Sequence, residues 1–231
     1  LSEAIPVHRA QALCYGLIYA LQNTLDGIGI RITYCHIPTE EVRYFHEFIS
    51  FNELQNWYDT LLASYAKWAS WQIRWQEERN NNIKSLEFPF SYRDGQNTLV
   101  KGVYQSILRK KRLYIEAPTG VGKTISTIFP AVKSLGENVS EKIFYLTAKT
   151  ITRTVAEDTL FLLQEKKVPL KSVTLTAKEK ICFLEKPACN PAQCDYAKGH
   201  FDRVNDAVFD LLTHETIMTR ETILEYAKKH M

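Results

Sequence analysis

The sequence has no apolar run long enough to cross a bilayer, no internal repeat and no low-complexity tract. These absences argue against a membrane partner, a solenoid and a disordered linker protein. A secretory leader is missing too, so a cytoplasmic protein is expected. Charge is nearly balanced, at +3 over 231 residues. Any surface for nucleic acid must therefore be local rather than global. Cysteine is scarce: Cys14 and Cys35 stand apart, and Cys182, Cys189 and Cys194 cluster. Five is an odd count, and without an export signal such a cluster points to metal rather than to disulfides. The chain opens Leu1-Ser2-Glu3 without methionine and ends abruptly at His230-Met231, so an excerpt of a longer protein is expected.

What is present is 45% hydrophobic sequence, enough for a proper core. Apolar spacing predicts helices over 7–25, over 96–109 and over 125–135. Gly27 is placed to end the first of them. Alternation predicts strands at 30–34 and 41–45. Ser50-Phe51-Asn52-Glu53 reads as a capping box that starts a long helix reaching Glu78. Asn80-Asn81-Asn82 and Phe88-Pro89-Phe90 read as a boundary region. Beyond it, strands are expected at 113–116, 142–147 and 171–176, with helices at 150–165, 204–212 and 220–229. That alternation predicts an α/β domain, a parallel sheet with helices on both faces.

Residues 117–124 carry the chemistry: Ala117-Pro118-Thr119-Gly120-Val121-Gly122-Lys123-Thr124. This is an A-x-x-G-x-G-K-T variant of the phosphate-binding loop. The two glycines let backbone N–H groups turn inward on phosphate oxygens. The following helix adds its positive N-terminal end. Lys123 can reach the β- and γ-phosphates of ATP, and the Thr124 hydroxyl can ligate Mg2+. Upstream, Gln96 is a candidate for the adenine edge, with a plain helix-start polar residue as the alternative.

The clustered cysteines read C-x6-C-x4-C. Thiolates suit zinc or an iron–sulfur centre. The wide first gap lacks the tight pairs of usual zinc sites, and His200 could complete a Cys3His set. Spacing alone leaves iron–sulfur, zinc and unligated cysteines open. Lys178, Lys180, Lys198 and Arg203 flank the cluster, either as a DNA channel or as ordinary surface. Trp57, Trp68, Trp71 and Trp75 could stack bases, but on a long helix they read better as packing.

Over about residues 86–231 the chain resembles the iron–sulfur helicases of superfamily 2, the family of XPD and DinG, most closely its bacterial DinG-like branch. Phe88-Pro89-Phe90-Ser91-Tyr92-Arg93-Asp94-Gly95-Gln96 resembles the family's leading Arg/Gln motif. Residues 116–124 resemble helicase motif I. Tyr145-Leu146-Thr147-Ala148-Lys149-Thr150 resembles motif Ia, which touches single-stranded DNA phosphates. Residues 176–182 and 189–200 resemble the segments around the first three cluster ligands. The resemblance implies ATP bound by Arg93, Gln96 and residues 117–124, with Mg2+. It implies a [4Fe–4S] cluster on Cys182, Cys189 and Cys194, with a fourth ligand further on. It implies single-stranded or forked DNA against Thr147, Lys149, Lys178 and Lys180, and ATP-driven 5′-to-3′ unwinding. No Asp-Glu-x-His box follows a hydrophobic strand, and a second motor domain is absent. The chain alone is therefore expected to hold phosphates rather than turn over ATP. A redox- or damage-sensing DNA-binding module, and a P-loop ATPase with a zinc knuckle and no DNA role, are the competing readings.

Near the start, Pro6 to Tyr15 resembles the helix after the active site of RecB-type PD-(D/E)XK nucleases, with Gln11 and Tyr15 as its Gln-x-x-x-Tyr pair. The implied organisation is a nuclease-like tail over 1–50, a helical linker over 51–85, the first half of a P-loop (RecA-like) motor domain over 86–179, and an incomplete iron–sulfur insertion over 180–231. Nuclease activity is not expected, since the catalytic acids and lysine would precede Leu1.

Overall fold

A computed structural model describes residues 2–148 and 150–231. The chain divides into two compact units, Leu1–Trp71 and Gln72–Met231.

In the first unit, helix α1 (Pro6–Asn23) packs on an antiparallel hairpin of β1 (Gly27–His36) and β2 (Glu41–Ser50). Pro6 suits the first helical position, where its missing N–H is no loss. Thr24, in the left-handed region, closes the helix instead of Gly27, which opens β1. Leu13, Leu17, Ile30 and Leu54 form the buried core. Each such side chain contributes roughly 1.5–3 kcal/mol by leaving water. Arg9 holds Glu47 of β2 through two bonds of 2.8 and 2.7 Å. That forked ion pair raises the guanidinium's pKa above its ordinary value.

Helix α2 (Phe51–Lys84) starts at the expected capping box. Glu53 Oε2 accepts from the Ser50 N–H at 3.0 Å, and Ser50 Oγ accepts from the Glu53 N–H at 3.3 Å. The helix runs past the expected boundary at Asn80-Asn81-Asn82. Asn80 is buried there because its polar ends are taken: Arg79 donates to its Oδ1 at 2.9 and 2.8 Å, and its Nδ2 donates to Asn138 at 2.8 Å. Trp75 donates its indole N–H to the Pro169 carbonyl at 2.8 Å, which makes it packing.

The second unit continues with α3 (Gln96–Leu108), α4 (Lys123–Gly136), α5 (Thr150–Gln164), β3 (Ser172–Val173), α6 (Lys178–Ile181), α7 (His200–His214), β4 (Ile217–Met218) and α8 (Arg220–Lys229). Helix α4 is its centre. Ile125, Ile128, Phe129, Val132 and Leu135 bury one face against Val100 of α3 and Ala156 and Leu163 of α5. Lys133, on α4, caps the end of α2 by donating to the carbonyls of Ile83, Lys84 and Leu86 at 2.9, 3.0 and 3.2 Å.

The helices stand where the sequence puts them, but the expected parallel sheet does not form. Among the described residues, parallel pairing is confined to β3 with β4, two residues each. The runs 113–116 and 142–147, expected as strands, have no ladder partner. Tyr114, Phe144 and Leu146 are 88%, 77% and 89% exposed. A strand exists only through the neighbour it bonds. Over the described residues the chain is thus mainly helical with two small two-stranded sheets, and not the α/β domain that its rhythm implied. No described helix is long and apolar enough to cross a membrane.

Candidate nucleotide phosphate site

The phosphate loop is anchored from its C-terminal side by the buried face of α4. Gly122 is the N-cap of that helix, at φ 79°, and Gly120 stands at φ 85°. Side chains rarely adopt that region. These two positions turn the chain so that Lys123 begins the helix, whose first-turn N–H groups have no intrahelical acceptor.

A second clamp comes from upstream. Phe88 stacks on Tyr92, with ring centroids 4.3 Å apart, and meets Phe129 of α4 edge-on at 5.2 Å. This aromatic ladder fixes the chain that leads into α3. Arg93 then donates from its guanidinium to the Gly120 carbonyl. Gln96 is buried, and its Oε1 accepts from the Arg93 N–H at 3.0 Å. Its Nε2 lies against Gly122, 2.6 Å from where a Cβ there would sit. Arg93 and Gln96 thus both contact the loop. What Gln96 touches is loop and backbone.

Lys123 bends back across the loop. Its Nζ donates to the carbonyls of Ala117 and Pro118, at 2.9 and 2.8 Å. The ammonium is therefore held over the turn, with one proton left for another acceptor. Thr124 is partly buried, and Thr127 Oγ1 bonds the carbonyls of Lys123 and Thr124 at 3.0 Å each. Pro118, Thr119 and Gly120 are exposed, while Ala117 and Val121 are partly buried. Two cations, Arg93 and Lys123, converge on one short turn. That charge arrangement suits a polyanion.

The cysteine insert is less gathered. Cys194 is buried, Cys182 is partly buried and Cys189 is exposed. The Cys189 sulfur beside Lys178 holds the ammonium's pKa above its ordinary value, with Glu179 and Cys182 lesser contributors. Phe183, next to Cys182, packs on Tyr196, just past Cys194, with ring centroids 5.0 Å apart. Among the described residues, no three His, Cys, Asp or Glu side chains converge on a point that could hold a metal ion.

The expected DNA contacts are dispersed. Thr147 is exposed and bonds Thr152 at 2.5 Å. Lys149 lies outside the described residues. Lys178 faces the cysteines, and Lys180 lies beside Arg153 and Arg220 in a cavity. Sequence reasoning missed those two arginines, which no local motif joins. In the first unit, Gln11 and Tyr15 touch at 3.5 Å on an exposed helix face.

Comparison of the chain with protein-family models, curated proteins and solved structures finds no match in any of the three.

Proposed function

We propose that residues 117–124 bind the phosphates of Mg2+·ATP, and that the chain is the nucleotide-holding part of an ATP-dependent DNA helicase. One observation supports this above the others. Lys123 opens a buried helix behind two left-handed glycines and crosses the loop to the carbonyls of Ala117 and Pro118. The reading rests on this loop and its helix, not on a parallel sheet.

Binding would exchange the two carbonyls for β- and γ-phosphate oxygens on Nζ, a gain because charge-assisted bonds to an anion are the stronger ones. Arg93 keeps the turn in shape through Gly120. Thr124 would offer its hydroxyl to Mg2+. Helix α4 stays fixed by its apolar face, so the loop does not have to fold around each nucleotide.

DNA as the partner, 5′-to-3′ unwinding and a [4Fe–4S] cluster on Cys182, Cys189 and Cys194 are proposals carried by the motif order. Turnover requires a metal-binding acid, a positioned water and an arginine finger, so the activity proposed for this chain by itself is nucleotide binding.

The test is titration of the chain with a fluorescent ATP analogue and Mg2+, alongside Lys123→Ala. We expect saturable binding in the unsubstituted chain and at least about tenfold weaker binding in the variant, with unchanged circular dichroism. Equal affinity in the two proteins would overturn the assignment.

A further inference from the structure

We propose that a cavity of about 470 Å3 in the second unit seats one backbone phosphate of single-stranded nucleic acid. The inference rests on the DNA-binding reading above and gives it a place.

Four segments build the cavity. Helix α5 supplies Arg153, the chain leaving β3 supplies Thr176, α6 supplies Lys180, and the β4–α8 corner supplies Thr219 and Arg220. Three cations face two carboxylates, Glu157 and Glu221. Glu157 is engaged, by Arg153 at 3.7 Å and by the Thr174 hydroxyl at 2.5 Å. Glu221 lies 3.7 Å from Arg220, and its side chain is 75% exposed. The surplus is one positive charge. That balance matches a phosphodiester, which carries one negative charge, better than the several charges of a nucleoside triphosphate. It repels a metal ion.

Two details point to an absent acceptor or donor. The Thr176 Oγ1 is sheltered from solvent and has no partner among the described residues. A buried hydroxyl left so is a cost that a ligand oxygen would remove. Arg220 spends its Nε on the Lys180 carbonyl, at 2.8 Å. This fixes the guanidinium plane, with Nη1 3.7 Å from the largely exposed Glu221 carboxylate, which a phosphate could displace. Helix α8 begins at the same corner, with Thr219 as its cap, accepting from the Thr222 N–H at 3.3 Å. A phosphate there would meet two guanidinium groups, an ammonium and a free hydroxyl. None of them belongs to the phosphate loop.

The test uses the full chain and a fluorescently labelled oligo(dT), followed by anisotropy over a range of salt. Arg153→Gln should weaken binding several-fold and make the slope of log affinity against log salt shallower by about 0.7, the loss of one single-strand phosphate contact. Thr176→Val keeps the side-chain shape. It should raise thermal stability while lowering oligonucleotide affinity, a pair of effects that a purely structural threonine would not give. Unchanged affinity and slope in both variants would overturn the seat. So would inorganic phosphate that binds tightly and loses affinity in Arg153→Gln while the oligonucleotide does not, since the seat would then serve a free anion. Mg2+·ATP titrated in the same samples reports on the loop separately. Failure of ATP binding with the oligonucleotide effects intact would overturn the nucleotide assignment and leave this one standing.

Discussion

Gln96 fills the space beside Gly122, its Nε2 lying 2.6 Å from the place a Cβ on that glycine would take. Gly120, two residues earlier, has open space around the same position. Both are in the left-handed region, so alanine at either should cost about 1 kcal/mol in backbone conformation. Only at 122 must the buried glutamine also move. Gly122→Ala should therefore reduce both thermal stability and ATP-analogue binding more than Gly120→Ala does. Adding Gln96→Ala should recover part of the Gly122→Ala loss, as a positive coupling in a double-mutant cycle. Additive effects would show that the contact is not what constrains the loop.

Lys133 joins two helices by capping. Its ammonium takes three carbonyls at the end of α2, at 2.9, 3.0 and 3.2 Å. Lys133→Met keeps most of the packing but leaves those carbonyls without their cation. A loss of roughly 1–2 kcal/mol is expected, typical for hydrogen bonds to a charged group. Denaturant unfolding would check it. A change within a few tenths of a kcal/mol would mean that water serves the carbonyls equally well.

Helices were legible in this sequence because each carries its own period and its own stop signals. The Ser50–Glu53 capping box shows this at the residue level: both reciprocal bonds are present. The left-handed turn and helix start at 120–123 were legible for the same reason, since the glycines, lysine and threonine that mark them are contiguous. Strands at 113–116 and 142–147 were misread because an apolar run says what a strand could bury and nothing about the neighbour it must bond. The pairing of Ser172–Val173 with Ile217–Met218 was invisible, being two residues long on each side. Arg153, Thr176 and Arg220 come together only through that pairing and the helices around it, so no spacing in the sequence could mark them. Asn80 misled for the opposite reason. A polar residue that reads as a boundary is buried in a helix once Arg79 and Asn138 satisfy its amide.

Asp210 ties α7 to α8. It accepts from Lys229 and His230, each at 2.7 Å, and lies 3.0 Å from His214. These bonds, Lys229 first and His230 next, lower its pKa to about 2. A lowered carboxylate pKa contributes stability that is fully present above the unfolded value, near ~4, and is lost as pH falls through about 2. Amide exchange in α7 and α8 should therefore quicken between those limits. Asp210→Asn should exchange faster than the unsubstituted chain at neutral pH and converge with it in strong acid. Parallel pH profiles in the two proteins would place the pH-sensitive contact elsewhere.

The cysteines give the sharpest test of the cluster proposal, because they differ in access before any metal is added. Cys35 and Cys189 are exposed, Cys14 and Cys182 are partly buried, and Cys194 is buried. Without metal, alkylation followed by mass spectrometry should label Cys35 and Cys189 first and Cys194 last, since attack needs an accessible thiolate. Anaerobic reconstitution with iron and sulfide should then protect Cys182, Cys189 and Cys194 together and leave Cys35 as reactive as before. An all-cysteine cluster takes four thiolates, so with three on the insert the iron bound should fall well short of about four per chain. Cys189→Ser should abolish the joint protection. If Cys189 labels at its original rate after reconstitution and no iron is retained, the insert does not hold a cluster. One zinc and no iron, with His200 protected from carbethoxylation, would mean instead a Cys3His site.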